Sequence, residues 1–269
     1  MSDLKIIHEE QYFGLYSDII PDPETTFEEL YDTLTNVCTR GKWKMFGKEV
    51  NEPKRSIIIT TPETLQFRQE QDEEGDGLNI DPHPLYVFGD NSSDRLSDPS
   101  DLSIVKDLVD SVYASLRSLP DDETLLDYHY VLVNIYDNGK DGIGWHADEE
   151  AADGSIVSIS LGQSRFFGFR EKKKKNNGGK LVKLLLFQSE EDNSNASETT
   201  PSSRVEEKVA RGWQQSPFTT KFQLFPGDVV WMKDGCQQQY KHTLYKSNSK
   251  KVECGPRINI TCRRYPEFD

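Results

Sequence analysis

The chain has 269 residues, 35% of them hydrophobic, and a formal net charge of −14 at pH 7. The length suits one domain with extensions and insertions. The acidity excludes non-specific nucleic-acid binding through the whole surface, though not through a local basic face.

Residues 1–40 read as partly helical, with FEELYDTL as the clearest pattern: Leu30, Leu34 and Val37 share a face, and Pro21 and Pro23 punctuate the approach. Trp43 to Phe46 and Ser56 to Ile59 read as short strands around a turn containing Gly47 and Pro53. This stretch is basic, with Arg40, Lys42, Lys44, Lys48, Lys54 and Arg55. Residues 68–84 read as an acidic loop. The spacing of Ile104, Leu108, Val112 and Leu116 predicts a helix over 101–119, capped by Asp101 or Ser103 and ended by Pro120.

The remainder reads as sheet: HYVLVNIYDNG, SIVSISLG, SRFFGFR, GKLVKLLLFQ, KFQLFPGDVVWM and RINITCRR. Residues 188–217 interrupt it with the polar run SEEDNSNASETTPSS, which cannot form a core and is expected to lack structure. One good helix followed by many strands predicts a mostly β fold, a helix-backed sandwich or barrel.

Four cysteines (Cys38, Cys236, Cys254 and Cys262) match no zinc module and are too sparse for a disulfide scaffold, so a reducing, intracellular compartment is expected. MSDLKIIHEE does not read as a signal peptide, and no stretch is apolar and long enough to span a bilayer. The absence of a heptad or an apolar exposed helix predicts a monomer without an obligate protein partner or membrane attachment.

The chemistry concentrates in LVNIYDNGKDGIGWHADEE. A strand runs to Tyr136, and Asp137, Asn138 and Gly139 make a turn. Gly142 and Gly144 then allow close backbone approach. On an extended segment His146 and Asp148 point the same way while Trp145 packs. With a distant His242 they make a 2-His-1-carboxylate face for ferrous iron, which leaves positions open for a 2-oxo acid and dioxygen.

The combination of NIY at 134–136, WHADEE at 145–150, SISLGQSRFFGFR at 158–170, PGDVVWM at 226–232, YKH at 240–242 and GPRINITCR at 255–263 resembles the AlkB family of iron- and 2-oxoglutarate-dependent dioxygenases. The likeness is nearest to its nuclear DNA alkylation-repair branch. The resemblance covers roughly Trp43 to Tyr265. It implies a double-stranded β-helix, or jelly roll, over 121–269, behind a 1–120 extension that includes a substrate-recognition lid. It implies iron on His146, Asp148 and His242, and 2-oxoglutarate held by Arg257, with Asn134, Tyr136, Asn259 and Arg263 as further cosubstrate contacts.

The resemblance also implies an alkylated base in DNA or RNA as substrate, with 1-methyladenine and 3-methylcytosine in DNA as the leading expectation. Tyr86 and Phe88 would then stack on a flipped base, and Phe46 would fill the gap in the duplex. Lys48, Lys54 and Arg55 would touch phosphate. Glu149 and Glu150 would accept from an exocyclic amino group, with Arg165 ordering their loop or joining the contact. Lys172 to Lys175 would bind the opposite strand or serve as a nuclear signal. Demethylation of RNA, or oxidation of a protein or small molecule on the same scaffold, are the competing readings.

Overall fold

The computed structural model describes residues 4–45, 48–60, 64, 85–87, 102–120, 125–148, 154–172, 201–247 and 254–264. Among these, an eight-stranded sheet runs in the order β1 (Lys5–Glu9), β2 (Phe13–Ser17), β13 (Val229–Met232), β9 (Ile156–Gly162), β15 (Arg257–Arg263), β7 (Tyr130–Tyr136), β5 (Arg55–Thr60), β6 (Leu85–Val87). A five-stranded sheet runs β11 (Gln214–Ser216), β12 (Thr219–Leu224), β10 (Arg165–Glu171), β14 (Tyr240–Leu244), β8 (Ile143–His146). Every pairing in both sheets is antiparallel except β5 with β6. The helices are α1 (Pro23–Val37), α2 (Ser103–Leu116), α3 (Pro201–Ala210) and the short α4 (Cys236–Gln239). This is a mostly β jelly-roll core backed by helices.

Period-two alternation decides which side of the large sheet meets what. Val131, Val133 and Ile135 of β7, Val157, Ile159 and Leu161 of β9, and Ile258, Ile260 and Cys262 of β15 pack into one apolar cluster with Leu30 and Leu34 of α1 and with α2. The intervening residues of the same strands face the small sheet. There Ile156, Tyr136, Val230 and Met232 meet Phe167, Phe169, Phe222 and Leu244. The segment KFQLFPGDVVWM therefore splits: β12 belongs to the small sheet and β13 to the large one. Gly227 sits at the crossing with φ +85, a left-handed conformation that suits glycine.

α1 begins where its proline and cap predict. Pro23 is its first residue, and the Asp22 side chain accepts from Thr25 N. α2 departs from expectation in two ways. Its cap position is Leu102, with no side-chain cap bond, and its buried stripe is Val105, Val109, Val112, Tyr113 and Leu116. Ile104 and Leu108 sit at the margin of that stripe, only partly buried. The sheet selects one of two overlapping apolar faces, which periodicity alone does not rank.

β3 (Lys42–Met45) pairs with β4 (Lys48–Asn51), not with the Ser56–Ile59 strand, which pairs with β7 instead. Strands from both sides of residue 120 share the large sheet, so the N-terminal segment and the later strands have one core. The insertion is not structureless in its second half. α3 and β11 lie within 201–217, and Arg211 forms a bidentate pair with buried Asp228 that fastens α3 to the β12–β13 turn. GKLVKLLLFQ, the 68–84 loop and residues 188–200 lie outside the described residues.

Candidate metal centre and cosubstrate cavity

β8 ends at His146, and β14 pairs with it so that His242 is the direct cross-strand partner of His146. Gly142 has a steric reason here: a Cβ would lie 2.9 Å from Leu244 O, so only glycine lets β8 approach β14 this closely. Gly144 differs from expectation, because a Cβ there would meet nothing within 4 Å. Trp145 turns outward beneath the Arg170 guanidinium, 4.4 Å from its ring centroid.

The two imidazole centroids are 4.2 Å apart, and each Nε2 faces a different Asp148 oxygen, His146 at 3.7 Å from Oδ1 and His242 at 3.5 Å from Oδ2. One ligand atom from each of the three residues fits within 4.8 Å. His146 Nδ1 lies 2.8 Å from Gly144 O. A carbonyl only accepts, so Nδ1 is the donor in this contact, and Nε2 is the nitrogen that faces Asp148.

Burial pushes His242 down to about 3, with Asp148 opposing, so this imidazole is neutral at physiological pH. Burial raises Asp148, but Arg263 and the two histidines outweigh it and hold the carboxyl below the ordinary range. Asp148 Oδ2 is buried with no hydrogen-bond partner. A neutral imidazole, an anionic carboxylate and an oxygen lacking a proton donor together fit a divalent cation. Two further groups orient the carboxylate: Arg263 Nη2 lies 3.0 Å from Oδ1, and Asp148 N donates to Gln237 Oε1 at 3.0 Å.

Beside this set lies a cavity of about 260 Å³. It falls just under the roughly 300 Å³ at which sites for drug-sized ligands begin, which suits a small acid. Register across β15 and β7 builds its polar wall, with Arg257 opposite Tyr136 and Asn259 opposite Asn134. On β9, Ser160 faces Asn259 and Gly162 faces Arg257. Arg257 is 2% exposed and its Nη2 donates to Ser160 Oγ at 2.8 Å. Burial pulls its guanidinium down to about 10, yet it stays charged at neutral pH. A buried cation whose partner is a neutral hydroxyl suits the carboxylate of a ligand.

The expected iron and cosubstrate residues thus meet at one cavity: His146, Asp148, His242, Asn134, Tyr136, Arg257, Asn259 and Arg263 all line it. The expected substrate residues fare differently. Phe46, Phe88, Glu149 and Glu150 lie outside the described residues. Lys48 and Tyr86 fall in β4 and β6, where only the backbone is described.

Arg55, expected at phosphate, is engaged within the protein. Its Nε donates to Asp137 Oδ1 at 3.0 Å and its Nη1 to Thr35 O at 2.9 Å. Arg165, 3% exposed, gives its fork to the carbonyls of Asn138, Asp141 and Tyr245, so it braces the turn before β8 rather than touching substrate. Lys54 is buried too, and its Nζ donates to Asn134 Oδ1 at 2.5 Å.

Several cavity or ligand-shell residues went unread in the sequence. Ser158 and Ser160 carry a signal, being polar positions alternating with Val157, Ile159 and Leu161. Glu52 and Gln237 carry none, since each lies between elements or on a four-residue helix.

A family model described as "2OG-Fe(II) oxygenase superfamily" matches residues 90–263. The chain is 26% identical over 140 residues to "DNA oxidative demethylase ALKBH2" of Bos taurus, covering 51% of this chain and 37% of that one. It is 32% identical over 160 residues to "Alpha-ketoglutarate-dependent dioxygenase alkB homolog 3" of Bos taurus, covering 58% and 43%. The matches thus span well under two thirds of either relative's length. The solved structure of OsALKBH1 covers 97% of this chain and 100% of its own, at 15% identity and a TM-score of 0.48. Among the described residues, no helix is long and apolar enough to cross a membrane.

Proposed function

We propose, from the premise that the chain belongs to the 2OG-Fe(II) oxygenase superfamily, that it oxidatively removes methyl groups from N-alkylated bases in DNA, 1-methyladenine and 3-methylcytosine foremost. The observation that carries this reading is one cavity holding both the His146–Asp148–His242 set and the buried Arg257 fork. The nucleic-acid substrate is supported by the relative named as a DNA oxidative demethylase.

His146, Asp148 and His242 would hold the iron, and Arg257 would pair with the distal carboxylate of 2-oxoglutarate. Bound together, iron and 2-oxoglutarate let dioxygen be divided between succinate, formed with loss of carbon dioxide, and a substrate C–H bond. Arg263 keeps the Asp148 carboxylate turned toward the histidines. Burial pushes the Tyr136 phenol up, against the pull of Arg257, so it stays a neutral wall beside the guanidinium. Ile143, Phe167, Met232 and Leu244 line the rest with apolar surface and limit water. An N-methyl group hydroxylated here breaks its C–N bond, leaving as formaldehyde while the ring nitrogen keeps the electron pair. The base must leave its stack to reach the cavity. No side chain acts as nucleophile.

The test is formaldehyde release and base recovery on matched methylated DNA and RNA, single- and double-stranded, with iron and 2-oxoglutarate. Release that depends on His146 and favours DNA supports the reading. Preference for RNA reassigns the nucleic acid. Consumption of 2-oxoglutarate without release from any oligonucleotide points to a protein or small-molecule substrate.

A further inference from the structure

The small sheet has two faces of different chemistry. Phe167, Phe169, Phe222 and Leu244 point into the core. Alternation puts the intervening residues on the outer face, and register sets them side by side. Phe166 lies opposite Gln223, Gly168 between Lys221 and Thr243, and Arg170 between Thr219 and Lys241. Tyr245, just after β14, and Trp145, on the edge strand β8, turn to the same side over Gly168.

Three aromatic rings and two cations form one layer there. The Arg170 guanidinium is 4.4 Å from the Trp145 ring centroid, and Lys221 Nζ is 4.4 Å from that of Phe166 and 4.9 Å from that of Tyr245. The Trp145 and Tyr245 centroids are 6.0 Å apart, edge to face. Gly168 makes the layer possible. A Cβ on it would lie 3.1 Å from Tyr245 Cε2 and 3.3 Å from Trp145 Cη2, so the rings rest on bare backbone. Arg170 and Lys241 are exposed, and Trp145, Phe166, Lys221 and Tyr245 are partly so.

Charge sets this layer apart. The chain carries a net −14, and Lys5, Arg40, Arg55, Lys106, Arg211 and Lys233 each pair with a carboxylate. The outward positions of β10, β11, β12 and β14 hold no Asp or Glu. Arg170, Lys221 and Lys241 have no carboxylate partner among the described residues. Cations held over rings, with no internal anion, suit a ligand that brings negative charge and flat apolar groups together. Single-stranded nucleic acid brings phosphates and bases at once, whereas an acidic peptide brings only the charge.

The layer adjoins the cavity. Trp145 and His146 are consecutive residues of the edge strand, one on each side of the sheet. The His146 side chain is 28% exposed, against 8% for His242 and 6% for Asp148, so the cavity opens beside β8.

Resting on the nucleic-acid reading above, we propose that the outer face of the small sheet, centred on Trp145, Phe166, Arg170, Lys221 and Tyr245, is a second docking surface, which binds the single strand flanking the base in the cavity.

The probe is a labelled, unmethylated oligothymidine of about 20 nucleotides, longer than a typical single-strand site, bound to the full chain and read by anisotropy over a range of salt. The wild type binds it. Arg170→Glu with Lys221→Glu weakens binding by about tenfold or more and flattens the salt dependence. Trp145→Leu or Tyr245→Leu, which removes a stacking plane but no charge, weakens it by about fivefold or more and leaves the salt dependence unchanged. Each variant still binds 2-oxoglutarate by calorimetry. On a methylated trinucleotide, too short to reach the outer face from the cavity, each matches the wild type, while KM on a long methylated single strand rises and kcat holds.

Absent binding by the wild type, or binding that all these variants leave unchanged, overturns the surface. Binding that falls on charge reversal alone, with equal affinity for a polyglutamate peptide, overturns it in favour of an acidic protein segment. Neither result touches the demethylase reading, which fails instead if the wild type releases no formaldehyde from any methylated strand.

Discussion

β15 and the segment 40–60 both reach the same cavity, but their charged side chains are directed by different rules. β15 is paired on both edges, to β7 and to β9, over nearly its whole length. Its alternation therefore fixes direction: Arg257, Asn259, Thr261 and Arg263 face the cavity, while Ile258, Ile260 and Cys262 face the helices. In the 40–60 segment, Glu52 and Lys54 occupy a bend with no such constraint. Arg40 and Arg55 flank them and are drawn to Asp137 and Asp141 instead. A paired strand makes side-chain direction a local property. In a bend, direction depends on which partners the fold brings near.

The comparison breaks most visibly at the iron set. Asp148→Ala abolishes iron binding and turnover and leaves Arg263 without its carboxylate. The metal-free protein should lose about 3 kcal/mol, the scale of breaking a buried pair, read by denaturant unfolding. Arg257→Lys keeps the charge and discards the fork. The KM for 2-oxoglutarate should rise about 10- to 100-fold, while kcat at saturation falls less. Were KM unchanged, β15 alternation would have been misread as function. Arg263→Gln keeps a donor near Asp148 and weakens iron affinity about tenfold, as outer-shell changes do, measured by metal titration.

The 40–60 segment predicts stability effects rather than catalytic ones. Burial raises Asp137, but hydrogen bonds from Arg55 and Arg40 outweigh it and hold the carboxyl below its ordinary 3.8. A depressed folded value means the pairing stabilises above pH 3.8 and is lost as pH falls through the lower folded value. Asp137→Asn should therefore cost about 1–3 kcal/mol at pH 7, and its deficit against the wild type should shrink in acid below about pH 4. A thermal scan across pH checks both. Lys42→Ala removes an exposed pair with Glu49 at 3.4 Å and should change stability by less than about 0.5 kcal/mol.

The sequence by itself determined the mostly β core, the order of its main strands along the chain and the three residues that meet as the candidate metal set. Strict alternation and the residue types at His146, Asp148 and His242 are local facts that survive any tertiary arrangement. The position of Arg257 on a strand face was legible for the same reason. Tertiary structure alone decided the rest. It chose Val105 and Val109 over Ile104 and Leu108 as the buried stripe of α2, because the sheet surface had to select between two overlapping helix faces. It fastened α3 through Arg211 and Asp228, which lie on either side of β11 and β12 in sequence. It turned Arg55 and Arg165 into braces for the turn before β8, and set Glu52 in the cavity wall. Each of these depends on which distant groups the closed fold brings within hydrogen-bond reach, and no spacing within one segment encodes that.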